Sequence, residues 1–405
     1  MLRVSNLILL WLFLAAGNTF AQSTPGVPWK HLSSTTGDLP APNTGTEQCS
    51  ATVFDIDKDG TNDFVVTERT AAPAAVWYRK NEHGWSRYVV ESGPLRIEAG
   101  STFADVDGDG DLDFIAAGDD KSNEVWWWEN PYPDYAPNVP WKRHTIKDSG
   151  ATKHHDLAVG DFFGNGKQEL VFWNQGAHKL FLAHVPADAR NSGPWPLTEI
   201  FSYATASQPE QRGNAAPFKG INEHEGLALG DVDGDGKLDI VGGGYWFRNL
   251  GDGGFEANVV DAGYAFSRAA VGRLKPGKWA QILTVVGDGE GPLIWYEWVL
   301  GTWMPHKIAD IRYGHTLQLV DFNHDGNLDI FCAEQRLNGA NPNSKIYIFL
   351  GDGKGNFTPT VIATGYDSHE SKIADLDGNG TLDLLIKPYN WQTPRLDIFL
   401  NLTPK

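Results

Sequence analysis

Cysteine is almost missing from this chain. Cys49 and Cys332 are the only two in 405 residues, so no disulfide framework organises the fold. They fall in different repeats at non-equivalent strand positions, and nothing in their placement supports a bridge between them. Positive charge is short as well. Thirty-three Lys and Arg stand against 51 Asp and Glu, a formal net charge of -18, which argues against nucleic acid or anionic membrane as partners. There is no apolar run long enough to span a bilayer. The stretch from Leu7 to Ala16 falls short of the ~20 residues a helical span needs. With Arg3 before it and Thr19-Phe-Ala after it, it reads as a signal peptide over 1–21, and no cysteine follows the cleavage point to accept lipid. The remainder, 22–405, is expected to be a soluble, secreted or periplasmic, all-β domain, because it is rich in glycine and aromatics and shows no long helical periodicity.

What the chain has in abundance is one acidic string, Asp-x-Asp-x-Asp-Gly-x-x-Asp. It offers Asp55, Asp57, Asp59 and Asp63, then Asp105, Asp107, Asp109 and Asp113, then Asp231, Asp233, Asp235 and Asp239. Two further copies carry one amide each: Asp321, Asn323, Asp325 and Asp329, and Asp375, Asp377, Asn379 and Asp383. Alternate carboxylates on a tight turn surround a hard cation with oxygen, and the glycine permits the turn, so calcium is the expected guest of these five loops. Asp-Gly turns without an ion are the plain alternative for any single copy; five copies make it a poor account of the set. Two decayed copies complete the series. One keeps Asp161, Asn165 and Glu169 but has Phe163 at a ligand position; the other reads Arg273, Lys275, Gly277 and is expected to be metal-free. The five intact loops hold eighteen aspartates, so bound dications would leave only a moderately acidic surface.

Short apolar or alternating runs flank the loops, such as Leu227-Ala-Leu-Gly before and Leu238-Asp-Ile-Val after the fourth. These are strands, which excludes an EF-hand, where helices flank the loop and a glutamate closes it. An aromatic third run follows (Val125-Trp-Trp-Trp, Tyr245-Trp-Phe), then a fourth (Trp85-Ser-Arg-Tyr, Trp141-Lys-Arg-His). Four strands in each of seven repeats give a seven-bladed β-propeller. The last repeat stops after its third strand, while Trp29-Lys-His-Leu near the start has the pattern of a fourth. The N-terminal strand is therefore expected to complete blade seven, removing the exposed edge. A ring closed in this way needs no partner, and a monomer is expected.

The loops build the scaffold; candidate function lies where the repeats differ. In a propeller the innermost strand of each blade borders the axis, and the residues before it converge. Six residues before the first ligand position stand His155, Glu225, His315 and His369, with His224 one step earlier in blade four. At or beside the same place are Cys49, Glu98, Ser267 and Arg268. Imidazoles gathered there suit zinc or another borderline divalent metal. Alternatively they are strand-end polar groups bonded to neighbouring blades, a reading that strand parity favours for His155. The turns between second and third strands on that face carry Glu68, Arg69, Asp119, Lys121, Trp173 to Gln175, Tyr245, Trp246, Glu334 to Arg336 and Lys387 to Trp391, side chains able to grip a saccharide. Residues 207–220, long and irregular, are expected to form a rim. The run Trp126 to Trp128 is expected to pack between blades.

The loops resemble those of the FG-GAP and VCBS repeat families. The motifs His-Asp-Leu-Ala-Val-Gly-Asp at 155–161, His-Glu-Gly-Leu-Ala-Leu-Gly-Asp at 224–231 and Gly-His-Thr-Leu-Gln-Leu-Val-Asp at 314–321 resemble the propeller part of the aldos-2-ulose dehydratases, and more distantly the propeller polysaccharide lyases. That enzyme's cupin and lectin-like parts have no counterpart here. The resemblance implies elimination chemistry on a keto-sugar, uronic acid or related saccharide, with a metal held by three or four of His155, His224, His315 and His369. The base would be a free histidine, Glu225 or Tyr389. Arg268, Arg69 or Arg336 would hold a negative group, with Glu98, Trp246 and Trp391 lining the substrate site. The competing reading is a non-catalytic propeller that binds glycan or protein through the same face.

Overall fold

The computed structural model describes residues 27–203 and 222–404. The leader at 1–21 and the rim stretch at 207–220 lie outside the described residues. Seven four-stranded antiparallel sheets form the ring. Blade one comprises Gln48–Phe54, Asp63–Glu68, Ala75–Asn81 and Gly84–Glu91, and the other blades repeat that order. Blade seven takes its first three strands, Lys372–Ala374, Asp383–Ile386 and Asp397–Asn401, from the C-terminal end and its fourth, Trp29–Ser33, from the N-terminal end. Trp29 pairs with Asn401 and Ser33 with Asp397. Among the described residues no helix is long and apolar enough to cross a membrane.

The core is divided into seven apolar clusters, one at each blade interface. Alternation along each strand produces this division, because successive side chains face opposite neighbours. The tryptophan run shows it directly. Trp126 and Trp128 pack with Phe54, Val65 and Trp77 of blade one, whereas Trp127 turns to Leu170 and Phe172 of blade three. All three are buried. A tryptophan that buries 150–250 Å² gains about 4–6 kcal/mol by area, and the aromatic third strands are accordingly the main apolar investment of each blade. Cys49 and Cys332 are both buried and unpaired, so packing and hydrogen bonds hold the ring.

Each loop is fastened by its ninth-position side chain. Asp113 accepts the backbone N–H of Val106 in its own loop and of Asn130 at the end of the third strand, each at 2.9 Å. Asp239, Asp329 and Asp383 do the same with Val232 and Asn249, Phe322 and Gly351, and Leu376 and Asn401. In blade five the Gln281 amide oxygen takes this place, accepting from Leu274 at 2.8 Å.

Removing residues 27–33 leaves the Asp397–Asn401 strand as an open edge. The truncated chain is expected to melt at lower temperature and to form soluble aggregates, which calorimetry and size-exclusion chromatography will show; an unchanged melting temperature and a monomeric profile would contradict ring closure as a stabilising contact.

Candidate metal centre and axial pocket

Two consecutive positions in the innermost strands build the centre of the molecule. The outer tier, six residues before the first loop carboxylate, contains His155, Glu225, His315 and His369; the inner tier, one residue later, contains Asp156, Arg268 and Glu370. Strict alternation would turn His155 into a blade interface beside Leu157. A bulge prevents it: the pairing register shifts between His155 and Leu157, and Asp156 takes φ +46°, as Glu370 in blade seven takes φ +55°. The left-handed residue breaks the parity and lets His155 face the axis.

His155, Glu225 and His315 each bring one ligand atom to within 4.8 Å of the others, and all three residues are buried. The His155 Nε2 lies 3.3 Å from one Glu225 carboxylate oxygen, and the His315 Nε2 lies 3.9 Å from the other. Nδ1 of His155 donates to Asp156 at 2.7 Å, which fixes the ring and leaves Nε2 to face Glu225. His315 fits against Gly287, where a Cβ would stand 2.9 Å from the imidazole. One Glu225 oxygen is buried with no hydrogen-bond donor, an arrangement that suits a carboxylate meant for a cation. Burial alone would lower the pKa of His155, but Glu225 and Asp156 push it up to about 10. Burial raises Glu225 to about 8, and burial with the nearby Arg268 lowers His315 to about 3. His315 is thus held neutral with a lone pair to give, while the carboxylates beside His155 favour a positive charge there, and these residues fit a divalent metal.

His224, one of the four imidazoles expected to surround the axis, is not in this group. Its ring stacks on Tyr203 at 3.8 Å, edge-on to Trp173, and packs against Gly243. It lies one residue before the converging position and so faces the interface; Glu225 takes the ligand position in blade four. His369 adjoins the group without joining the three. It stacks on His315 at 4.1 Å, and its Nδ1 lies 3.0 Å from the Cys49 carbonyl. The Lys387 ammonium donates to the same carbonyl at 3.0 Å and stands 3.4 Å from Nδ1, so Nδ1 has an acceptor in one tautomer and a donor in the other.

Arg268, expected to hold substrate, is instead locked beneath the centre. Its Nη2 contacts Asp156 at 2.6 Å and Glu370 at 2.7 Å, joining blades five, three and seven across the axis. Above this floor is a polar cavity of about 300 Å³ lined by the metal group, Arg69, Glu98, Gln175, Asp288, Gln335 and Tyr389 among others. Below it a smaller space of about 250 Å³ is lined by Thr52, Ser101, Gln318 and Lys372. Two cationic side chains, Arg69 and Lys153, face four carboxylates in the upper cavity, those of Glu98, Glu223, Glu225 and Asp288.

Arg69 contacts Glu98 and donates to the Tyr389 hydroxyl at 2.8 Å, and that hydroxyl bonds Glu47 at 3.1 Å. Burial holds the Tyr389 phenol far above its ordinary range, so it is a hydrogen-bonding group and not the base expected of it. Trp246 is buried at the interface of blades four and five, donating its Nε1–H to Asp239 at 3.0 Å. Arg336 lies over Trp391 at 3.5 Å, and neither lines the cavity. The grip on a ligand comes from residues six or seven beyond each loop's ninth position: Arg69, Gln175, Asp288, Gln335 and Tyr389. That count was available in the sequence, although only Asp288 fell outside the turns singled out there. Nothing in the sequence paired Arg268 with Asp156 and Glu370.

The acidic loops form three further divalent-metal candidates with Asp55, Asp57 and Asp63, Asp105, Asp107 and Asp113, and Asp231, Asp233 and Asp239, and a fourth with Asp375, Asp377 and Asp383. Burial pushes Asp63 and Asp113 up to about 8 and Asp383 to about 7, a cost that a cation would relieve. The loops differ in built-in compensation. Arg79 meets Asp57 at 2.5 Å and Arg248 meets Asp233 at 2.7 Å, both from the third strand; Arg190 bridges Asp107 and Asp109. In blade five the same pair is reversed, Lys275 meeting Glu297 at 2.5 Å, and Arg273 donates to the carbonyls of Gly277 and Lys278. Blades six and seven have Leu350 and Leu400 at the corresponding place.

An FG-GAP-like repeat profile matches residues 55–116, 105–172 and 321–386. This is a seven-bladed propeller with FG-GAP-like repeats. The fourth loop, 231–239, carries the full acidic string but lies outside the matched segments of the propeller. No curated protein sequence matches the chain, and what is found is the FG-GAP-like repeat and the buried His/Glu cluster, not a specific kinship with the aldos-2-ulose dehydratases. A solved protein from Lactobacillus plantarum, 11% identical, aligns over 84% of this propeller chain and 89% of its own with a TM-score of 0.49, too distant to bear on the site.

Two outcomes follow from the compensation pattern and the floor. On chelation, amide protection is expected to fall first at 321–326 and 375–380 and later at 55–60 and 231–236, measured by hydrogen exchange with and without excess divalent cation; uniform loss would remove the distinction. Arg268→Met leaves Asp156 and Glu370 buried without a counter-charge and is expected to cost about 3–5 kcal/mol in denaturant unfolding.

Proposed function

We propose that this protein is an exported, metal-assisted carbon-oxygen lyase or dehydratase that acts on a saccharide in the axial pocket. The observation that carries the reading is the convergence of the His155, Glu225 and His315 ligand atoms within 4.8 Å at the floor of an open, polar cavity of about 300 Å³. Two histidines and a carboxylate with positions left for substrate suit zinc or a similar divalent ion. Such an ion, when bound, would polarise a carbonyl and lower the pKa of the neighbouring C–H.

The chain's own groups supply the rest. His369 lines the pocket and, in the tautomer that donates Nδ1–H to the Cys49 carbonyl, supplies Nε2 as the base. The side-chain oxygens of Gln175 and Gln335 are buried without donors, which suits them to accept sugar hydroxyls. Arg69 stands opposite as a donor, oriented by Glu98 and by the Tyr389 hydroxyl, whose own proton goes to Glu47. The excess of carboxylates over cations in the lining is about what one dication neutralises, so a neutral keto-sugar is favoured over a uronic acid. Calcium fits the acidic loops as a structural ion, and a monomer fits the closed ring. The rival reading, a glycan-binding propeller without catalysis, draws on the same pocket.

The test is elemental analysis of protein exchanged into calcium-containing, chelator-free buffer, together with turnover of keto-sugars followed by the ultraviolet absorbance of an unsaturated product. About one equivalent of a transition metal beside calcium is expected, with metal and turnover both lost in His315→Ala and turnover alone lost in His369→Ala. Calcium alone, with ligand bound and returned unchanged, would favour the binding propeller.

A further inference from the structure

The face opposite the axial pocket carries the loops between first and second strands and the turns between third and fourth. Acidic loops dominate it everywhere except between blades five and six. There a cleft of about 430 Å³ is lined by Lys275, Trp295, Glu297, His306, Lys307 and Lys354 among others. Its three ammonium groups come from separate elements: the charge-reversed loop of blade five, that blade's outermost strand Thr302–Arg312, and the turn before the strand Phe357–Thr364 of blade six. Lys275 is answered by Glu297 at 2.5 Å and Lys307 by the exposed Asp310 at 2.7 Å. Lys354 forms no ion pair within 4.0 Å among the described residues, and its nearest acidic neighbour is the exposed Asp352, two residues earlier, which Asn356 and, to a lesser degree, Lys354 hold below the usual carboxylate range. On a chain of net charge -18, three ammonium groups in one cleft are a local concentration of cations.

The cleft also has a flat wall. The His306 ring lies on Trp295 with centroids 4.0 Å apart and planes 11° from parallel, and the His306 side chain is 43% exposed, so its outer face is open. Gly355, at φ +90°, packs against the indole where a Cβ would come within 2.7 Å, and only glycine leaves that wall clear. Ammonium groups beside an open ring face match an acidic sugar, whose carboxylate or sulfate takes the charges while its C–H face lies on the ring.

We propose that the cleft between blades five and six is a second, non-catalytic site that binds an acidic saccharide unit, with Lys307 and Lys354 holding its anionic group and His306 its ring. It shares no residue with the axial pocket and does not depend on the chemistry there.

Calorimetric titration of the full chain with trigalacturonate and, separately, with a sulfated trisaccharide tests this, with maltotriose as the neutral control. At least one of the two anions is expected to bind, the better one identifying carboxylate or sulfate as the recognised group. Affinity is expected to fall at least tenfold in the Lys307→Ala/Lys354→Ala variant and on raising salt from roughly 50 to 300 mM. Both lysines are exposed, so that variant should keep the wild-type melting temperature and axial metal content. His306→Ala, which leaves both ammonium groups, should weaken the trisaccharide but not free sulfate. Failure of both anions to bind, binding unaltered in the double variant, or equal binding of maltotriose would overturn the proposal.

Discussion

In each blade one side-chain oxygen at the ninth loop position fixes where the strands begin. Where it is an aspartate, the carboxylate bonds the loop behind it and the end of the third strand in front, so three strands are set in register by one group. The other loop carboxylates can change without unmaking the blade, as blade five shows. There Gln281 keeps the bond to its own loop, accepting from Leu274 and Lys275, while the cation ligands have become Arg273 and Lys275. Bonding and ion holding are separable duties of the same loop, which is why the repeat can decay at some positions and still fold.

Regular blades also determine where irregular residues can act. Side chains of the inner three strands of each blade are mostly claimed by neighbours at the interfaces, whereas the approach to the innermost strand points at the axial space. Seven blades bring seven such approaches together, and this chain has filled them with opposing charges instead of apolar side chains. The inner tier is charge-paired, Arg268 answering both Asp156 and Glu370, although its Nη1 and one Glu370 oxygen keep no hydrogen bond. The outer tier brings together imidazoles and a carboxylate, with a Glu225 oxygen and Nδ1 of His315 buried without partners. Metal-ligating groups above a charge-paired layer are what distinguish a site from a plug.

The fold was legible because its signals are periodic: the aspartate spacing located the loops, and the pattern shared by Trp29-Lys-His and Trp141-Lys-Arg-His revealed the strand that closes the ring. The register count also placed His155, Glu225, His315 and His369 together. It misjudged His224 because one residue along a strand end exchanges axis for interface, and the aromatic pocket of Tyr203 and Trp173 that receives its ring is assembled from blade three. It gave Arg268 to substrate because a charge near an axis looks available until its two partners, from blades two steps away in either direction, are seen. Trp246 looked like a sugar platform for a similar reason: alternation that buries it cannot be phased from a turn alone. The bulge at Asp156, which rescues the parity of His155, leaves no mark in sequence, since aspartate does not announce a positive φ.

Blade seven joins the two ends of the chain, with His31 bonded to Asp397 across 366 residues of sequence. During synthesis, then, six blades can form while the seventh still lacks its other half. Until the final strand emerges, the partial ring has two unmatched flanks, and the axial residues of blades three, five and seven cannot meet. The buried charges at the axis are therefore left uncompensated until the meeting of first strand and last, the one event that separates a closed ring from a partial one with unpaired edges.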